Sequence, residues 1–417
     1  MVREPLRFPY GFLWGTATSS HQVEGYNRNN QWWEWEQQPG RIWRGDTSGA
    51  ACGWWEDADA DLDRAAALGQ NAHRMSVEWS RIEPRDGAFD PEAVQRYRAI
   101  LSGIRQRGMV PMVTLHHFTN PLWLEAQGGW ANPATPARFA RYVRYTVEHL
   151  GDLCDLWCTI NEPTVYSVLG YSLGVWPPGR RSLIESIQVV RGLLRGHRLA
   201  ADIIHHHSPT HRVGLAHHKR IYDPATPGKR DVTVALLYNF FANGIVFRSL
   251  GDSCDFFGLN YYSRDHLAFD LRAPHTLFGR RFTPPHFEQS DLGFLGESFG
   301  EIYPEGIYRA LKRLHHRLRL PIYVTETGLP DEDDNQRPQF LLDHLAAVHR
   351  AIHEGIDVRG VFVWTLVDNF EWAEGWGQRF GLYALDRASG ERRLRPSGAL
   401  YAAIARANAI PARGALA

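Results

Sequence analysis

The chain has 417 residues, with 46 basic and 46 acidic side chains, 44% hydrophobic residues, 15 tryptophans and four cysteines. That balance excludes the broad basic surface of a nucleic-acid binder and the acidic run of a charged tail. The length suits one large α/β domain over residues 1–417, and Cys52, Cys154, Cys158 and Cys254 are too few for a disulfide framework, so they read as buried thiols in a reducing compartment.

In chain order, short apolar strands alternate with amphipathic helices. Met1 to Tyr10 has no apolar stretch of signal-peptide type, so none is expected. The strand pattern falls at Phe12–Ala17, Asn71–Val77, Met109–Leu115, Asp155–Asn161, Arg212–His217, Phe256–Tyr261, Pro321–Thr325 and Val358–Thr365. Helical patterns fill the gaps at Glu56–Leu68, Pro91–Arg107, Thr135–Leu150, Leu183–His205, Pro304–Leu318 and Gln336–Glu354. Val94, Tyr97, Leu101 and Ile104 share one face of the second helix. Gly69, Gly108, Gly151 and Gly355 follow helix ends, where left-handed caps are expected. Eight strands alternating with helices, without a composition break, predict a (β/α)8 TIM barrel. Arg264–Ser290 is polar and weakly periodic and reads as a long loop at the barrel mouth, and the tail after Ile410 reads as frayed. No run of roughly 18 apolar residues occurs, so no membrane span is expected.

Two of the strands end on a glutamate. Asp155–Asn161 runs into Glu162-Pro163, where proline stops the strand for want of an N–H. Pro321–Thr325 runs into Glu326-Thr327-Gly328. Two carboxylates at strand ends on one face of a barrel can flank a scissile glycosidic bond. Other strand ends add His73-Arg74, His116-His117, Asn260-Tyr261-Tyr262 and the segment Trp364 to Gly375. Hydrogen-bonding groups mixed with aromatic rings suit a pocket for a polyhydroxylated ring.

These motifs resemble glycoside hydrolase family 1, the β-glucosidase and β-galactosidase family. The resemblance spans almost the whole chain through Phe12-Leu13-Trp14-Gly15-Thr16-Ala17-Thr18, Gln22-Val23-Glu24-Gly25, Asn161-Glu162-Pro163, Asn260-Tyr261-Tyr262, Thr325-Glu326-Thr327-Gly328 and Asp368-Asn369-Phe370-Glu371-Trp372. It implies a retaining, exo-acting β-glycosidase with Glu326 as nucleophile and Glu162 as general acid/base. It further implies that Asn161 holds the sugar 2-hydroxyl, and that Gln22, His117 and Glu371, with Trp372 beside them, clamp the other hydroxyls. Trp364 would lie under the sugar, Arg74 and Tyr262 would orient the nucleophile, Asn260 belongs to the same set, and Phe380 would line the wall. An adjacent guanidinium and phenol would favour an ionised Glu326, while burial near Glu326 would keep Glu162 protonated. A retaining site would hold the two carboxyl groups about 5–5.5 Å apart. Two positions depart from the family pattern: Thr327 stands where asparagine is usual, and Gly300, after Phe299, stands where a leaving-group tryptophan is common.

The expected partner is a small β-glycoside or short oligosaccharide, with no cofactor, no metal, no nucleic acid and no membrane, in a cytoplasmic protein of unspecified oligomeric state. His205-His206-His207 cannot share one helix face, which argues against a metal site there. Cys154 and Cys158 read as packing, and Asp57, Asp59, Asp61 and Asp63 as a solvated helix face. The competing readings are a non-catalytic sugar-binding relative and a 6-phospho-β-glycosidase; Glu371 disfavours the second, because a carboxylate repels phosphate.

Overall fold

The computed structural model describes residues 4–273 and 276–412. All eight expected strands form: β1 (Leu13–Ala17), β2 (Ala72–Ser76), β3 (Val110–His116), β4 (Leu156–Asn161), β5 (Arg212–His218), β6 (Phe256–Asn260), β7 (Ile322–Thr327) and β8 (Val358–Trp364). They pair in parallel in sequence order, and β8 closes on β1 with Gly360 opposite Leu13 and Trp364 opposite Ala17. This is the (β/α)8 barrel that the alternation predicts. Helices α1 (Asp59–Ala67), α2 (Pro91–Gln106), α3 (Thr135–Leu150), α4 (Leu183–His207), α5 (Lys229–Ser249), α6 (Pro304–Leu318), α7 (Arg337–His353) and α8 (Pro396–Ala407) lie between and after the strands. Each of α2, α3 and α6 buries one apolar stripe, as in Val94, Tyr97, Leu101 and Ile104 of α2.

Strand side chains alternate between the ring of helices and the barrel interior. Ala72, Met112, Leu156, Phe256 and Phe362, from five different strands, make one buried cluster that fills the lower interior. Gly214 on β5 is needed for this: a Cβ there would lie 2.4 Å from the Phe256 ring. Further up β2, Arg74 points inward, and from this level to the mouth the lining becomes polar. The barrel thus has an apolar floor and a hydrogen-bonding upper half, at the strand C-termini where such barrels carry their sites.

Several expectations need correction. Arg264–Ser290 is not simply a loop: Arg264–Phe269 and Gly279–Phe282 form an antiparallel hairpin, joined in parallel to Ile221–Pro224. Gly69, Gly108 and Gly355 have positive φ, but Gly151 continues the helical backbone at φ −68°. Its role is space, since a Cβ would meet the Val147 carbonyl and the His207 ring. Asp61 is buried rather than solvated, accepting from the Trp54 indole at 2.9 Å and pairing with Arg64 and Arg392. The frayed tail falls largely at residues 413–417, outside the described residues.

Candidate active site

At the end of β4 the chain leaves the strand after Asn161. Glu162 takes a left-handed backbone (φ 46°, ψ 61°) before Pro163 opens a short helix. Its N–H donates to Ala216 O at 2.8 Å, and its carbonyl accepts from Tyr166 N–H at 3.1 Å. The bonded backbone holds a conformation that non-glycine residues adopt at some cost. Glu326 lies within β7, where the register shifts on both flanks between Val324 and Thr327. Both glutamates are nearly buried, with 7% and 4% of their surfaces exposed.

Their partners differ. Glu326 accepts from Arg74 Nη1 at 2.5 Å and from the Tyr262 hydroxyl at 2.7 Å. Glu162 accepts from the neutral amide of Asn260, Nδ2 to Oε1, at 2.7 Å. One network joins them. Arg74 Nη2 donates to Asn161 Oδ1 at 2.7 Å, and Asn260 Nδ2 donates to the same oxygen at 3.1 Å. Asn161 Nδ2 meets His117 Nε2 at 3.2 Å. Burial, then the charge of Glu326, pushes the Glu162 pKa up to about 8, against the opposing effects of Asn260 and Arg74. Burial and the Arg74 charge hold His117 well below the ordinary histidine value, so it is neutral at pH 7, with Nε2 accepting from Asn161.

The opposite wall comes from β1 and β8. Gln22 Nε2 donates to Glu371 Oε2 at 2.9 Å and to Phe370 O at 2.8 Å, and its Oε1 accepts from Ser19 Oγ at 2.6 Å. Burial raises the Glu371 pKa to about 8, opposed by the Gln22 hydrogen bond. The His117 ring stacks near Trp364 (centroids 5.9 Å, 26°) and near Trp372 (6.2 Å, 15°). Trp372 is wedged among His21, Trp32, Phe118 and Trp176, so most of its surface serves packing. Phe380 meets Tyr262 and Phe299 edge-on, at 6.1 and 5.7 Å. The buried polar atoms His117 Nδ1 and Asn369 Nδ2 have no hydrogen-bond partner, while the Trp364 indole bears on the Glu371 carboxylate. Orphaned buried polar atoms are uncommon in folded proteins, and a ligand bearing several hydroxyls would satisfy them.

The fold therefore brings together Glu162, Glu326, Arg74, Asn161, Asn260, Tyr262 and His117 as one bonded group, with Gln22, Glu371 and Trp364 as a second wall against it. Phe380 borders Tyr262, and Trp372 backs His117. The residue scan missed the supports. Thr325 Oγ1 donates to Asn260 Oδ1 at 2.6 Å and so aims the amide donor at Glu162. Thr114 Oγ1 accepts from Arg74 Nε at 3.1 Å, and Asn369 Oδ1 accepts from Gln22 at 3.2 Å. Polar residues within otherwise apolar strands were the available signal for Thr114 and Thr325.

The family model for glycosyl hydrolase family 1 matches residues 4–249 and 245–410. The chain belongs to that family. Among relatives, the β-galactosidase of Sulfolobus acidocaldarius is 31% identical over 480 aligned residues, covering 97% of this chain and 96% of that protein. The solved β-glycosidase from Pyrococcus horikoshii is 36% identical with a TM-score of 0.89, covering 97% of this chain and 96% of that one. The β-glucosidase from Thermotoga maritima in complex with glucoimidazole is 30% identical with a TM-score of 0.91, covering 97% and 99%. Family 1 membership with full-length glycosidase relatives makes the chain a glycosidase. Among the described residues, three carboxylates approach one another at Asp291, Asp331 and Asp333, but two of them are exposed and Asp331 accepts backbone N–H groups from Asp334, Gln336 and Arg337.

Proposed function

We propose that this family 1 glycosidase is a retaining, exo-acting β-glycosidase that removes terminal β-D-glucosyl residues, with galactosyl and fucosyl residues as further substrates. The unequal pairing of two buried glutamates carries the reading. Glu326, held by a guanidinium and a phenol, is the nucleophile. Glu162, bonded by one neutral amide and with its pKa raised to about 8, keeps a proton at neutral pH and is the acid.

In the first step a Glu326 oxygen attacks the anomeric carbon as the bond to the leaving oxygen breaks, and that oxygen takes the Glu162 proton. Glycosylation removes the Glu326 charge, which is the second-largest cause of the raised Glu162 pKa. Glu162, now a carboxylate that no longer faces a charged Glu326, draws a proton from water, whose oxygen attacks the same carbon and frees Glu326. Asn161, aligned by Arg74 and Asn260, suits the sugar 2-hydroxyl, and the orphaned atoms of His117 and Asn369 suit the others.

The names of the relatives support breadth: one is a β-galactosidase and another a β-glucosidase. Against a 6-phospho-glycoside, Glu371 is a carboxylate bonded by the neutral amide of Gln22, and a carboxylate repels phosphate. The deciding experiment is a panel of nitrophenyl β-glycosides, plain and 6-phosphorylated, with the first-formed anomer followed by proton NMR. The reading requires turnover of a plain β-glycoside, the β-anomer appearing first, and loss of turnover in Glu326→Gln. An α-anomer first, or turnover of the phosphorylated substrate alone, overturns it. A cytoplasmic location remains part of the proposal, and the four buried, unpaired cysteines support it.

A further inference from the structure

Most outer faces of the helical ring are charged. On α3 the outward positions include Arg144 and Glu148, and on α6 they include Arg309 and Lys312. Helix α5 departs from this. Its inward face packs Val234, Ala235, Val246 and Phe247 on the fold, and the Tyr238 hydroxyl donates to Thr276 O and Gly279 O of the neighbouring hairpin. Its outward face carries Leu236, Leu237, Phe240 and Phe241, exposed by 66%, 39%, 41% and 36%. Spacings of one, four and five residues place these four on a single stripe. The hairpin that α5 packs on adds exposed Leu271 and Phe278.

The rim of this stripe is basic. Lys229 and Arg230 stand at the start of α5. Near its end, Arg248 lies over the Phe240 ring at 4.9 Å, an aliphatic stem along apolar surface with a charged head beyond it. Arg272 and Arg280 are exposed on the hairpin. Of the nearby acids, Asp231 accepts from Phe269 N–H and Thr226, and Asp270 accepts from Arg272; Asp252, after the helix, is exposed. A chain that is neutral overall thus gathers cations around one apolar stripe.

We propose that the outer face of α5 docks on an anionic lipid surface. An apolar stripe flanked by Lys and Arg is the composition of a helix lying in the plane of a membrane interface. The helix is long and apolar enough by composition to cross a bilayer, but its inward face is packed on the fold, so it lies on the surface. A second copy of the chain fits less well. A two-fold contact sets the same patch against itself, bringing the cations at both ends of the helix together, whereas anionic headgroups neutralise them. Lipid docking is independent of the hydrolytic chemistry and can fail without it.

The test is flotation of the full chain with vesicles of phosphatidylcholine alone and of phosphatidylcholine with phosphatidylglycerol. The double variant Leu236→Glu/Phe240→Glu is run beside it, with nitrophenyl glycoside turnover and gel-filtration size measured on both proteins. The expected result is flotation with the anionic vesicles at low salt, weakened by salt, and cut at least about tenfold in the variant, whose turnover is unchanged. Arg248→Glu should weaken flotation to a smaller degree. Failure to float with anionic vesicles overturns the proposal, as does flotation that the variants leave intact. A wild-type dimer that becomes monomeric in the double variant, without flotation, assigns the face to a second copy.

Discussion

Glu162 and Glu326 end similar apolar runs, yet the barrel treats them differently. Glu326 stays within its strand and receives a cation and a phenol. Glu162 steps out of its strand on a left-handed backbone and receives one amide. In the proposed mechanism two identical side chains take opposite tasks from their donors, and those donors come from β2, β6 and the segment after β6. The comparison teaches that the division of labour is encoded in residues far from either glutamate.

The largest expected effect comes from removing the side treated as nucleophile. Glu326→Ala should lower kcat/KM by about 10⁴-fold or more. Azide should then restore turnover and yield an α-glycosyl azide, identified by NMR; a β-azide would break the assignment. Next, Glu162→Gln should slow nitrophenyl glycosides by roughly 10²–10³-fold. It should spare dinitrophenyl glycosides in the first step, because that leaving group departs without a proton. Equal losses on both substrates would show that Glu162 does not act as the acid.

A third prediction sharpens the contrast through pH. For the wild type, the alkaline limb of kcat/KM should lie near pH 8, where Glu162 loses its proton, and Glu162→Gln should abolish it. The Asn260 hydrogen bond lowers the Glu162 pKa, so Thr325→Val, which loosens Asn260, should move the limb upward by a fraction of a unit. A downward move would contradict the donor relation. The smallest effect is on stability. The folded Glu162 pKa of about 8 exceeds the 4.5 of a free glutamate, so its stabilising contribution is full below about 4.5 and is lost as pH rises through about 8. Glu162→Gln should therefore melt above the wild type by a margin that widens over that window and then levels, as read by scanning calorimetry.

Much of this was visible in the sequence because periodicity reports burial. Every barrel strand reads as a short apolar run, and helices such as α2 show their stripe directly. Glu162 and Glu326 were visible because breakers follow them, Pro163 in one case and Gly328 in the other. What stayed hidden depends on residues distant in the chain. Ile221–Pro224 becomes a strand only because Arg264–Leu267 pairs with it. Asp61 is buried because Arg392 reaches it across 331 positions. Trp372 resembled a sugar contact, but its neighbours Trp32 and Trp176 make it largely a packing residue. Nor could the pattern reveal that Thr325 aims Asn260, since a threonine in a strand is ordinary β former as well as donor.

The bond between Gln22 and Glu371 spans 349 positions, and β8 must meet β1 for it to form. On the ribosome, then, the wall formed by Gln22 and Glu371 cannot exist until nearly the whole chain has emerged. A nascent chain holding Arg74, Glu162 and Asn260 would still lack Glu326, Trp364 and Glu371. A chain that ends upstream of β8 keeps Arg74, Tyr262 and Glu326 but lacks Trp364 and Glu371, and one that ends upstream of β7 lacks Glu326 as well.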